Sequence, residues 1–242
     1  WAIRLLLDKQ PIDTLFGPRE KALPKANPNL EKKLVSLAAG DDSALVRLTL
    51  ASSLQRLPIL SRRNLGKALA GRAEDAADHN LPMLVWYGLT PMVEEDPLGL
   101  LEVARSTVWP SLLSWISRAT TERSEENPSS FDDLFDLLSE SKEKSEPLLS
   151  GMERAVRGMK EFARPAQWDQ VRSLLKGNPK VLRLSVFFGD AEAAERMEKL
   201  AMNPQASLSS RREVMENLIQ SDSPNFQSLC LDMLEDPEMR IW

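Results

Sequence analysis

Asp42-Ser43-Ala44-Leu45-Val46-Arg47-Leu48 sets the pattern from which the fold is read: a capping residue, a short apolar helix start, then an arginine. Asn178-Pro179-Lys180-Val181-Leu182-Arg183-Leu184 and Asp236-Pro237-Glu238-Met239-Arg240-Ile241 repeat it, and Ala2-Ile3-Arg4-Leu5-Leu6 is a truncated copy. The successive arginines stand 43, 136 and 57 residues apart. The long interval is about three steps of roughly 45, near the period of about 40–47 residues of stacked helix pairs. The spacing predicts an all-α solenoid of helical hairpins. Such an array is an extended surface with no inherent chemical site, so these residues name an architecture and not a reaction.

Working outward, helix punctuation is dense. Glycine is scarce, 10 residues in 242, while the 16 prolines fall where helices begin. Asp96-Pro97, Asn178-Pro179, Ser223-Pro224 and Asp236-Pro237 each join a side-chain oxygen that can accept from the first turn to a proline whose missing N–H costs nothing there. Ser130-Phe131-Asp132-Asp133 and Ser210-Arg211-Arg212-Glu213 have the shape of a capping box. Between starts the apolar residues keep the helical period, as in Leu148, Leu149, Met152, Ala155, Val156 and Met159, and in Phe131, Leu134, Phe135 and Leu138. The β-looking run Val181–Phe188 is bounded by Asn-Pro and Gly189-Asp190 and reads as a packed helix. About fourteen helices, six to seven pairs, are expected in one continuous domain over residues 1–242. Long loops are expected at 9–29, which holds Pro11, Pro18, Pro24, Pro28 and Gly17, and at 120–130. The stretch 139–147, which alternates charge sign, is expected to be a solvated turn.

The charge balance bears on partners. Lys+Arg 31 against Asp+Glu 36 leaves a net charge of −5, poorly suited to a phosphate backbone, whose binding rests on clustered cations. The longest basic blocks are Arg62-Arg63 and Arg211-Arg212, so nucleic acid is not an expected partner. No run of about 18 apolar residues is present, so no membrane span is expected. Residue 1 is Trp, not Met. The chain is therefore expected to be a piece of a longer protein, in which targeting signals would lie elsewhere.

Side chains that could carry chemistry are few. The lone cysteine, Cys230, admits no internal disulfide and no CxxC or CxxCH motif. It falls in the series Phe226, Leu229, Cys230, Met233, Leu234, which places it on a buried helical face. The lone histidine, His79, has Glu74, Asp75 and Asp78 nearby, but their spacing lacks the i, i+4 geometry of a helical metal site. Asp132-Asp133 suits a helix start, where acids favour the dipole; Glu94-Glu95-Asp96 suits a solvated loop before a cap. Trp86 and Tyr87 lie in Leu81–Leu89, apolar on nearly every side, and are expected in the core of an inner helix. The alternative places them in a groove for a partner helix. No catalytic, cofactor-binding or metal-ligating residue is assigned.

A resemblance adds to this reading. Trp1–Leu6, Val46–Pro58, Glu74–Gly88 with its Asn80-Leu81-Pro82 and Trp86-Tyr87-Gly88, Leu149–Met152, Pro165–Trp168 and Phe187–Asp190 together resemble the HEAT-type helical region of large membrane-bound dehydrogenase-like, haem-binding proteins of planctomycetes and verrucomicrobia. The resemblance implies an exported multidomain parent, periplasmic or at the cell surface. In it, a β-propeller similar to quinone-dependent sugar dehydrogenases precedes the helices and a cytochrome c domain follows. Covalent haem c is then expected on that neighbouring domain, with no cofactor in this chain. The role implied here is a non-catalytic spacer and docking platform, touching adjoining domains or a protein partner. A freestanding HEAT-repeat adaptor is the alternative. A HEAT-like DNA glycosylase is disfavoured by the acidic charge.

Overall fold

The computed structural model describes residues 1–15, 19, 21–157, 163–220 and 225–241. The helix start expected at Ser223-Pro224, Met159 of the periodic run, Gly17 and Pro18 of the first connection, and Trp242 lie outside them. Every regular element among the described residues is helical. The chain divides into two compact units, Trp1–Gly151 and Met152–Trp242.

The first unit contains α1 (Ala2–Leu7), α2 (Pro28–Gly40), α3 (Ala44–Ser53), α4 (Ile59–Ala70), α5 (Leu81–Leu89), α6 (Met92–Glu95), α7 (Pro97–Ser106), α8 (Pro110–Glu122) and α9 (Pro128–Glu140). Helix α10 (Ser145–Val156) carries the boundary. Contacts run in two series, α1 on α3 on α5 on α8, and α2 on α4 on α7 on α9. Sequence neighbours α2–α3, α4–α5, α7–α8 and α8–α9 join the two, so the helices are paired and in mutual contact. Between the series lie Leu34, Leu50, Leu54, Leu65, Leu69, Val85, Leu100, Ile116 and Phe135, all buried. Their burial is the main driving force for the stack.

Side-chain caps set several helix starts. The Asn27 and Asp96 side chains accept from Leu30 N at 3.2 Å and Gly99 N at 3.2 Å, each ahead of a proline in the first turn. The loop expected at 120–130 is shorter than that. Helix α8 continues to Glu122, because buried Thr121 bonds within its own helix to Ser117 O at 2.8 Å and Arg118 pairs with Glu122 at 2.7 Å. Asn127-Pro128, and not Ser130, starts α9. The turn expected at 139–147 is also more ordered: a 3-10 turn spans Lys142–Lys144 before α10 begins at Ser145. Its Lys144 ammonium donates to Ala104 O at 3.1 Å and to Arg105 O, covering carbonyls that the end of α7 leaves unpaired.

Helices α8 and α10 approach to backbone distance. A Cβ added at Gly151 would lie 2.3 Å from Ser114 O and 2.7 Å from Ser117 Cβ, and Ser117 Oγ donates to Leu148 O at 2.7 Å across the same crossing. Gly151→Ala is therefore expected to cost about 1–3 kcal/mol through overpacking. A lowered urea midpoint would register it, and an unchanged midpoint would mean that the crossing widens freely.

The second unit holds α11 (Trp168–Leu174), α12 (Pro179–Phe187), α13 (Ala191–Met202), α14 (Leu208–Gln220) and α15 (Phe226–Met233). The run Val181–Phe188 is helical as expected, through α12 and its C-terminal Phe188. Gly189, at φ +75°, reverses the chain so that Asp190 can cap α13 by accepting from Ala193 N at 3.1 Å. Val186, Ala193, Met197, Ala201, Met215, Leu218 and Met233 form its core. Ser210 does not cap α14; Ser207 does, accepting from Ser210 N at 3.2 Å. Asp236-Pro237 starts no helix either. Residues 237–241 make turns, with Asp236 accepting from Glu238 N at 2.9 Å and Met239 N at 3.0 Å. The other Asp236 oxygen is taken by Arg211 at 2.5 Å, which holds the residue in this turn.

Candidate functional site

The arginines of the repeated joint divide into two kinds. Arg47 is buried and grips Asp75 through Nε at 2.5 Å and a second nitrogen at 2.7 Å, while also donating to Asp41 O at 3.0 Å. Arg183 pairs with Glu153 at 2.6 Å and Glu213 at 3.2 Å. Arg4 and Arg240 are exposed and make no ion pair among the described residues. The joint is thus a packing device where neighbouring helices cover it and a surface residue where they do not.

The basic doublets, read from sequence only as short blocks, each contain a fully buried member. Arg62 donates to Leu57 O at 3.0 Å, Gly88 O at 2.9 Å and Asp13 Oδ2 at 2.7 Å. Arg211 donates to Ala201 O at 2.7 Å as well as to Asp236. Neither is available to a phosphate. Asp13 is the residue that sequence reasoning missed: it lies in the expected surface connection yet is buried, receiving Arg62 and, at 2.6 Å, Arg19 Nε. Arg19 also reaches Glu95. The connection is further fixed by Asp13 N donating to Gln55 O at 2.8 Å and by Arg56 donating to Gln10 O. Burial pushes the Asp13 carboxyl up, but the bonds from Arg19 and Arg62 outweigh it and hold the group below its ordinary value. For Arg62 burial prevails and lowers its affinity for a proton. The Asp13 direction decides the pair's behaviour, since a guanidinium remains charged at any pH a protein survives.

The titratable cluster around His79 does not converge. Asp75 faces Arg47, Glu74 pairs with Arg72 at 2.7 Å, and Asp78 accepts from Asn80 N and Leu81 N, both at 2.8 Å. Those two backbone bonds hold the Asp78 carboxyl below its usual value. His79 is exposed beside them. Among the described residues no three His, Cys, Asp or Glu side chains come together as metal ligands. Cys230 is half-buried against the core of the second unit, and Leu234, expected on the same buried face, is 62% exposed.

Trp86 and Tyr87 correct the inner-helix expectation. Helix α5 is covered by α3, α4 and α8, but its remaining face is open: Tyr87 is 37% exposed, Met83 is exposed, and Trp86 is half-buried. The open face forms the floor of a groove of about 700 Å³ with Trp115 of α8. The two indoles lie 6.3 Å apart between ring centres, inclined at 37°. Charged residues form the rim, and they are paired: Arg123 with Glu94 at 2.5 Å, Arg118 with Glu122 at 2.7 Å, and Arg19 with Glu95. Glu94 and Glu95, expected on a solvated loop, belong to α6 and to these pairs. The sequence showed Trp86 and Tyr87 but not Trp115, which becomes a neighbour only because α8 packs on α5.

Comparison with protein-family models, with characterised proteins and with solved structures finds no match for this chain. No helix among the described residues is long and apolar enough to cross a membrane.

Proposed function

We propose that this chain is a helical scaffold that docks a protein segment in the groove of Trp86, Tyr87 and Trp115. The observation that supports the reading is the clustering of exposed Tyr87 with half-buried Trp86 and Trp115 in a cleft bounded by ion pairs. Tryptophan and tyrosine carry a disproportionate share of binding energy at protein interfaces, and a concave aromatic floor on a rigid helical support is how such energy is gathered. The two contact series of the first unit accord with stacked hairpins of the HEAT or armadillo kind. By the resemblance above, the scaffold would belong to an exported redox protein, holding a dehydrogenase-like domain and a cytochrome c domain at a set separation. Haem absorbance from the full-length parent, with none from this chain, is the expected signature of that setting.

The docking reading is tested with a photo-crosslinking residue placed at Tyr87 or, on the exposed surface of α4, at Leu60. A discrete adduct is expected from position 87, absent from position 60, and lost when Trp115→Ala is added. Equal labelling at both positions would overturn the reading.

A further inference from the structure

The groove's hydrogen-bonding chemistry identifies the kind of segment it takes, given that it docks one at all. The buried tryptophans satisfy their indole N–H groups internally, Trp109 with Arg72 O at 2.7 Å and Trp168 with Ser185 Oγ at 3.0 Å. The groove aromatics do not. Neither indole N–H of Trp86 and Trp115, nor the Tyr87 hydroxyl, has a partner among the described residues. The floor therefore combines apolar ring surface with three donors to which no described residue offers an acceptor. On the rim, the three described arginines face three glutamates in closed pairs, so the described lining carries no net charge and favours neither a polybasic nor a polyacidic ligand.

From this pattern we infer that the groove binds a proline-rich segment in the polyproline II conformation. Such a segment carries carbonyl acceptors that no internal hydrogen bond occupies, and its prolines contribute no N–H donors. It brings flat apolar rings to an aromatic floor and acceptors to the three donors, with no charge required. Its backbone is also largely pre-ordered, so little conformational freedom is lost on binding. An amphipathic helix fits less well. Its carbonyls are spent within the helix and its docking face is apolar, so it would strand the indole and phenol donors without partners, an unfavourable outcome in a desolvated cleft.

The inference rests on the docking reading and is tested apart from it. The intact chain is titrated with a ten-residue polyproline peptide, a leucine-rich amphipathic helical peptide, and a glycine-serine peptide of equal length, following intrinsic tryptophan fluorescence and confirming by calorimetry. Saturable binding of polyproline alone is expected. Tyr87→Phe, which removes one donor while keeping the ring, should weaken it about three- to tenfold, and Trp115→Ala about tenfold or more. Circular dichroism verifies that both variants keep their helices. Polyproline binding that Tyr87→Phe leaves unchanged would overturn the inference. Absence of polyproline saturation, with or without saturation by the helical peptide, would overturn it too while preserving the docking reading so long as crosslinking stays confined to position 87, whereas no binding of any peptide together with equal crosslinking at positions 60 and 87 would remove both.

Discussion

Asp13→Ala is expected to destabilise the first unit by about 3–5 kcal/mol, the scale seen when one partner of a buried ion pair is removed. The Arg62 side chain is 0% exposed and that of Asp13 is 1%, so the variant strands a guanidinium with only the Leu57 and Gly88 carbonyls as company. Arg19 loses its anchor at the same stroke and retains only Glu95. Urea unfolding monitored by circular dichroism measures the loss. Replacing both partners, as Asp13→Ala with Arg62→Met, should recover much of it, because an apolar pair of similar volume leaves no stranded charge. If the double variant were as unstable as the single one, the loop geometry and not the charge would be responsible.

The same pair fixes a pH dependence. Asp13 has its carboxyl lowered in the folded state, so its contribution is fully present above the unfolded value of about 3.9 and is lost as pH falls through the lower folded value. Unfolding midpoints should therefore hold steady with respect to this group from neutral pH to about pH 5, then fall in acid. Asp13→Asn should flatten that acid limb. Through Arg19, which pairs with both Asp13 and Glu95, the buried pair is linked to the groove rim.

What local patterns encode, the sequence made visible: helix content, the proline-led starts at Asp96 and Asn178, the burial of Leu148, Leu149 and Met152. Capping and periodicity are short-range effects, set by residues within a turn or two. The failures share the opposite property. Asp13 and Arg62 are 49 positions apart and Arg47 and Asp75 are 28 apart, so no local window contains both members. Asp236-Pro237 carries the signals of a helix start, and Asp236 does accept from Glu238 N and Met239 N, yet only turns follow; its other carboxylate oxygen pairs with Arg211, 25 positions away, a partner that no local window shows. The groove was half legible. Trp86 and Tyr87 stand out in an apolar helix, but whether such a helix is enclosed depends on which neighbours pack on it, and α5 is left open on one face.

The other large effect is expected at Trp109, which joins packing to backbone satisfaction. It is completely buried, and its indole donates to Arg72 O while Thr107 Oγ1 and Val108 N donate to Ala70 O at 3.0 and 3.1 Å. The three-residue link between α7 and α8 thereby closes the C-terminal end of α4, whose last carbonyls would otherwise be orphaned. Trp109→Ala should cost about 3–5 kcal/mol from the cavity and lost contacts. Trp109→Phe separates the contributions: it keeps most of the ring volume but takes the indole donor from the Arg72 carbonyl, which retains Asp75 N at 3.2 Å, and about 0.5–1.5 kcal/mol of loss is expected. Both are read from urea midpoints at constant slope. A phenylalanine variant as stable as the parent would mean that Asp75 N alone satisfies the Arg72 carbonyl. In that case the link holds α4 through Thr107 and Val108 alone, and removing the Thr107 hydroxyl in the Trp109→Phe background should then cost more than removing it in the parent.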